Sequence, residues 1–279
     1  MDNLELMKQL PSESIGLIYC DILYNTGKKF KDYNDNLGTS QEAVEWYKPR
    51  LIEMKRLLKN TGTICLQCDY RLSPYIQILL NDLSLIFQNK IIWKKGETGK
   101  GAKGKKILSK DYDEILYYTK SNIFTTNKIN QPHDVVSLKE YKYQDKGGYF
   151  KIVNLGMYSK LSVEKMKENG EIYTSKFGKE YKKYYLTDMN ETCLSDIWMD
   201  CYNLYNGENK EMIDYDTQKP KALLERIIYM FSNQGDLIAD FFCGSGTTCA
   251  AAKELGRSYL GCDINQRAID ITYDRLKTN

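Results

Sequence analysis

A single histidine, His133, is all that this chain carries of the commonest zinc ligand, which argues against a metal site built from the usual ligand sets. No apolar run approaches the roughly 20 residues that a helical membrane span needs. The opening residues, Met1-Asp2-Asn3-Leu4-Glu5, are acidic and polar, so no secretory leader is expected there. No internal repeat is visible. The eight cysteines are scattered rather than spaced as a disulfide framework, as suits reduced thiols in a cytoplasmic protein. Cys65 and Cys68 form a C-x-x-C within an expected strand, Thr63 to Asp69, where that spacing puts them on opposite faces. There is no strong charge of one sign either: the net is +3. What remains is an ordinary globular composition in 279 residues, enough for one domain of about 200 residues plus an insertion.

The most informative segment present is Asp240-Phe241-Phe242-Cys243-Gly244-Ser245-Gly246-Thr247-Thr248. The apolar run Asp236 to Ala239 before it reads as a buried strand. Thr247 to Leu255 after it, rich in alanine, reads as a helix ending at Gly256. Gly244 and Gly246 allow a sharp turn and a close backbone approach to a ligand. The next apolar run, Tyr259 to Cys262, ends in Asp263, an acid at the tip of the next parallel strand, where it can accept from both hydroxyls of a ribose. The turn is not the dinucleotide G-x-G-x-x-G, and a lone G-x-G would equally suit a plain tight turn.

Elsewhere the chain alternates. Residues 15–21 read as a buried parallel strand ending in Asp21, 41–59 as a helix, 63–69 as a strand, 74–83 as a helix and 90–93 as a strand. After a break, a helix over 219–231 leads into the glycine turn. That alternation predicts a doubly wound α/β sheet. Between about 94 and 210 it fails, apart from one clear strand at 114–118. The expected organisation is therefore 1–93 and 211–279 as two halves of one α/β domain, with 94–210 inserted. The insert opens with interleaved glycine and lysine, including Lys94, Lys95, Lys100, Lys103, Lys105 and Lys106. This reads as a basic loop, either a solvated surface run or a track for phosphates.

A second motif, Asp21-Ile22-Leu23-Tyr24-Asn25-Thr26-Gly27, sits at the tip of the first strand, and ligands of doubly wound sheets bind outside those tips. With Tyr33-Asn34-Asp35-Asn36, Thr217-Gln218-Lys219-Pro220, the glycine turn and Asp2-Asn3-Leu4, it makes the chain resemble the β-group amino-methyltransferases of DNA, in particular the Mod subunits of type III restriction-modification systems. Those carry D-P-P-Y where this chain reads D-I-L-Y, and they are much longer.

The resemblance implies a Rossmann-like methyltransferase sheet with an inserted target-recognition region. It implies methyl transfer from S-adenosylmethionine to adenine N6 in duplex DNA, in a restriction-modification or orphan setting, with a restriction subunit as a partner the family allows. Asp21 and the carbonyl of residue 22 would accept from the target amine, while Tyr24 would stack on the flipped base. Phe242, Gly244 and Gly246, with Asp240 opening their motif, would surround the methionine and ribose of the cofactor, and Asp263 would take the ribose. Asp2 would contact the adenine unless it only caps a helix. Thr217 and Lys219 would lie near the methionine end, unless Lys219 is a solvated first-turn residue. The lost prolines leave the loop without two fixed φ angles. They favour a catalytically silent DNA- or S-adenosylmethionine-binding homologue as one alternative; cytosine N4 methylation, which shares the fold but is disfavoured by the leading Asp, is another, and RNA methylation a weaker one.

Overall fold

The computed structural model describes residues 1–95, 110–131, 139–156, 158–186, 192–201, 204 and 211–278. The chain divides into two compact units, Met1–Asn127 with Ser195–Asn279, and Lys128–Leu194.

In the first unit, strand β1 (Ile15–Asp21) is buried along almost its whole length. It is followed by a hairpin of two two-residue strands, β2 (Lys28–Lys29) and β3 (Asn34–Asp35). The helix Ser40–Leu57 starts from a capping box: the Thr39 hydroxyl accepts from the Glu42 amide, and the Glu42 carboxylate accepts from the Thr39 amide at 2.7 Å. Then come β4 (Leu58–Cys68), the helix Ser73–Asp82, β5 (Ile86–Lys94) and β6 (Tyr112–Thr119).

The second unit holds β7 (Asn130–Gln131), paired with β12 (Thr192–Cys193), and a four-stranded antiparallel sheet. That sheet runs in the order β10 (Ile172–Thr174), β11 (Glu180–Tyr185), β9 (Gly148–Asn154), β8 (Tyr143–Asp145), and the helix Lys160–Glu168 joins β9 to β10. Its small core is aromatic: Phe150 is buried, with the Tyr143 and Tyr185 rings 5.6 and 5.5 Å away. Several of the insert's tyrosines thus pack against each other.

Back in the first unit are β13 (Ile197–Trp198), the helix Lys221–Phe231, β14 (Leu237–Asp240), the helix Thr247–Glu254, β15 (Ser258–Gly261) and the helix Gln266–Thr278. The central sheet has the order β13-β5-β6-β4-β1-β14-β15. All its pairings are parallel except those of β6, which runs against both β4 and β5. Six strands therefore point one way, and the start of β6 lies at the edge where the others end. The sheet is covered on both faces. In β6, Tyr118 donates to Asn81 of the Ser73–Asp82 helix at 2.9 Å, while its neighbour Tyr117 meets the Phe231 ring of the Lys221–Phe231 helix, centroids 4.2 Å apart. Successive strand residues point to opposite faces, so the two helices lie on opposite sides. Burial on both faces is why the strands read as continuous apolar runs.

The alternation expected from sequence is present, with ends moved by at most five residues and the first strand unmoved. The strand expected at 114–118 lies in the central sheet, and so does β13. The compact second unit is accordingly shorter than the 94–210 segment expected for the insert. Cys65 and Cys68 are both buried, Cys68 in the core under the N-terminal helices. Among the described residues no helix is long and apolar enough to cross a membrane.

Candidate functional site

A cavity of ≈ 690 Å3 opens at the carboxyl edge of the central sheet, lined from the ends of β1, β4, β5 and β14, the start of β6 and the turn after β15. It has two chemically distinct ends.

The first is built on the glycine turn. Gly244 and Gly246 both have positive φ, +49° and +73°. A Cβ on Gly246 would come within 2.5 Å of the Thr272 hydroxyl, and one on Gly244 would press the Tyr215 ring at 3.1 Å. Two acids brace the turn. Asp240 accepts from the Phe242 amide at 3.0 Å and the Thr248 hydroxyl at 2.5 Å. It is 3% exposed, and burial pushes its carboxyl up to about 7 against those hydrogen bonds. Asp263 accepts from the Gly244 amide at 3.0 Å and the Asn265 amide at 2.9 Å. Burial raises its pKa, opposed by those amides. Each Asp263 oxygen keeps a lone pair for a ligand hydroxyl. Phe242 packs toward Trp46, centroids 6.2 Å apart, giving this end an apolar wall.

Asn3 ties the turn to Arg50. Asn3 donates to the Phe241 carbonyl at 2.9 Å and accepts from Arg50 at 2.8 Å. Asp2 lines the cavity and also caps the first helix, its two oxygens accepting from the Leu4 amide and from Arg50, both at 2.8 Å.

The second end centres on Asp21. Its Oδ1 accepts from the Tyr24 hydroxyl at 2.7 Å, and its Oδ2 pairs closely with the Lys219 ammonium. Burial raises the Asp21 pKa, and Lys219 is the largest influence lowering it. The Tyr24 hydroxyl also reaches Asp113 at 3.0 Å. Asp113 in turn accepts from Gln67 at 3.1 Å and from Lys95 at 2.7 Å.

The D-I-L-Y loop lacks proline but is tied at each residue. The Ile22 side chain is 2% exposed and its amide donates to the Gln67 carbonyl at 3.1 Å. The Leu23 carbonyl accepts from the Tyr47 hydroxyl at 2.8 Å. Beyond it, buried Asp35 accepts from the amides of Asn25 and Thr26 at 3.0 Å each, so the Asn25-Thr26-Gly27 and Asn34-Asp35 motifs form one braced turn.

Asp21, Ile22, Tyr24, Phe242, Gly244, Asp240 and Asp263 thus line one cavity, with Asp2, Thr217 and Lys219; Gly246 supports it from the turn. Lys219 stands beside Asp21, and Thr217, at φ +62°, shares a hydrogen bond with Tyr33 at 3.2 Å. Lys94 ends β5 and Lys95 points into the site. Lys100, Lys103, Lys105 and Lys106 lie outside the described residues. Sequence reasoning missed Gln67, Asp113 and Tyr215. Asp113 had one usable signal, an acid directly before an apolar strand, but nothing local shows that the strand runs backwards.

The family described as DNA methylase, which groups N6 and N4 methyltransferases, matches residues 15–274. The type II methyltransferase M.EcaI of Enterobacter cloacae is 29% identical over 280 residues, 88% of this chain and 61% of its own, so the chain spans under two thirds of that relative. The DNA adenine methyltransferase YhdJ of Escherichia coli K12 is 28% identical over 99% of this chain and 80% of its own. Among solved structures, the DNA modification methylase TTHA0409 of Thermus thermophilus, complexed with S-adenosyl-L-methionine, superposes with a TM-score of 0.60 at 18% identity, over 99% of this chain and 91% of that one.

Proposed function

Since the chain belongs to the DNA methylase family, we propose that it transfers a methyl group from S-adenosylmethionine to the N6 amine of adenine in duplex DNA. The observation that carries this reading is the acid-and-tyrosine loop facing the glycine turn across one cavity. The cavity volume suits a nucleoside-bearing cofactor plus an extruded base. The residues fit the cofactor: Gly244 permits close approach, Phe242 and Trp46 offer apolar faces, and Asp263 has acceptor capacity for a ribose. S-adenosylmethionine supplies an electrophilic methyl group on a sulfonium.

The protein's own part is positioning and electrostatics. An exocyclic amine is a poor nucleophile because its lone pair is delocalised into the ring. Acceptors on its hydrogens favour a pyramidal, nucleophilic nitrogen. Asp21 and the Ile22 carbonyl are those acceptors, and a main-chain carbonyl is indifferent to the change from proline to isoleucine. Lys219, paired with Asp21, opposes the effect of burial and favours the ionised, accepting form. Tyr24 offers its ring to the base. We assign DNA recognition to the 128–194 unit and the basic segment from Lys94, and place the protein in the cytoplasm, with a restriction subunit as a candidate partner.

Digestion and nucleoside analysis of DNA from cells expressing the chain tests this. N6-methyladenine is expected. N4-methylcytosine would reassign the acceptor, and neither base in the presence of cofactor binding would make the chain a silent binding homologue.

A further inference from the structure

Asp113 takes no part in that reading, yet the hydrogen bonds around Tyr24 converge on it. It is 2% exposed at the start of β6, and only the antiparallel course of that strand brings it to the carboxyl edge. Three donors reach it: the Tyr24 hydroxyl at 3.0 Å, Gln67 Nε2 at 3.1 Å and Lys95 Nζ at 2.7 Å. Gln67 is held in turn, because the Tyr19 hydroxyl donates to its Oε1 at 2.7 Å, which aims its amide nitrogen at Asp113 and at the Tyr24 oxygen, 3.3 Å away. We propose that Asp113 is a positioning residue for the acceptor base, fixing the Tyr24 ring through its hydroxyl; the base-stacking part rests on the methyltransferase reading.

A tyrosine side chain lining a cavity has two soft torsions. Pinning its hydroxyl between two carboxylates from separate strands leaves the ring one place. The phenol has a single proton, which serves Asp21 or Asp113 at any instant. Lys219 on Asp21 and Lys95 on Asp113 supply the balancing charge, so the cluster of two acids and two ammonium groups is neutral. Local rigidity that the family's prolines would provide through the backbone is here provided through a side chain. The loop and β6 are separated by 89 residues and joined by this contact.

The test is a double-mutant cycle on kcat for methyl transfer to mixed-sequence DNA at saturating S-adenosylmethionine. Asp113→Asn keeps the shape of the side chain, and Tyr24→Phe keeps the ring. Each is expected to slow transfer by about 10- to 100-fold, the range for misplaced reacting groups. The double variant should be no slower than Tyr24→Phe alone, because Tyr24→Phe already removes every contact of the hydroxyl, including the one to Asp113 that Asp113→Asn weakens. Cofactor affinity should stay unchanged in all of them. Multiplied losses, or an unaffected Asp113→Asn, would overturn the proposal.

A second measurement does not need activity. In protein with ring-labelled tyrosine, the Tyr24 resonance, assigned by its loss in Tyr24→Phe, should move toward that of a free side chain in Asp113→Asn. If it stays in place, Asp113 does not hold the ring, whatever the kinetics. If the wild type binds cofactor but transfers nothing, the methyltransferase reading falls while the resonance still decides the positioning.

Discussion

The two ends of the cavity are built on different principles. The glycine turn is a backbone device: positive φ at two glycines and amides aimed at two acids, all within six successive residues from Phe241 to Gly246 and the acids that brace them. The Asp21 end is a side-chain device assembled from β1, β4, β6 and the segment before the Lys221–Phe231 helix, at residues 21, 24, 67, 113 and 219. A backbone device tolerates little change at its glycines but survives loss of distant side chains. A side-chain device depends less on which residues form its loop, and fails when one charged member is removed.

The largest effect should come from breaking the side-chain end at its centre. Asp21→Ala is expected to lower methyl transfer by about 1,000-fold, the cost of removing one preorganised polar group, while calorimetry finds cofactor affinity almost unchanged. A parallel loss of affinity would mean that the two ends are not separable. At the backbone end, Gly246→Ala forces a β-carbon into Thr272 at φ +73° and should reduce stability by about 2–4 kcal/mol in urea unfolding. Gly27 has the same φ with nothing within 4 Å, so Gly27→Ala should cost only the backbone part, about 1–2 kcal/mol. Equal costs would remove the claim that close packing distinguishes the glycine turn.

Asp263→Ala should weaken S-adenosylmethionine by about 1–3 kcal/mol, through lost hydrogen bonds and a slackened Gly244 amide. Cofactor affinity that holds at the wild-type value would mean Asp263 serves the turn alone. Smaller again is Ile22→Pro. The family motif suggests that proline here would speed the reaction, but the Ile22 amide donates to the Gln67 carbonyl, so its removal should lower stability by about 1 kcal/mol without raising the rate. A faster, more stable variant would show that the missing prolines matter more than the hydrogen bonds.

The most subtle effect concerns pH. Burial raises the Asp21 pKa, and the proposed reaction needs the ionised carboxylate, so kcat should fall with acidification at a pH above the ordinary carboxylate range. Lys219 lowers that pKa and the nearby Asp113 raises it. Lys219→Met should therefore move the acid limb to higher pH, and Asp113→Asn to lower pH. A limb that ignores both substitutions would assign the titration to another group.

Much of this was legible beforehand because it is local. The strand–turn–helix around Gly244 and Gly246, the burial of β1 and the acid at its tip follow from contiguous residues with steric or periodic signatures. Asp2 was readable only as an ambiguity, since an acid before a helix suits a cap and a ligand equally; the Leu4 amide and Arg50 engage both its oxygens. Lys219 looked like an exposed first-turn residue or a cofactor contact, and its pairing with Asp21 spans 198 positions, beyond any local pattern.

The sequence by itself determined the elements, the glycine turn and the chemistry at the strand tips, because helix period, strand burial and glycine stereochemistry act over a few residues. Only the tertiary structure decided that β6 runs against its neighbours, and with it that Asp113 reaches the site. Strand direction depends on how a whole segment pairs with β4 and β5, and on burial shared among residues far apart in the chain. The same holds for the ion pairs: a buried carboxylate needs a partner, but which lysine supplies it is set by packing.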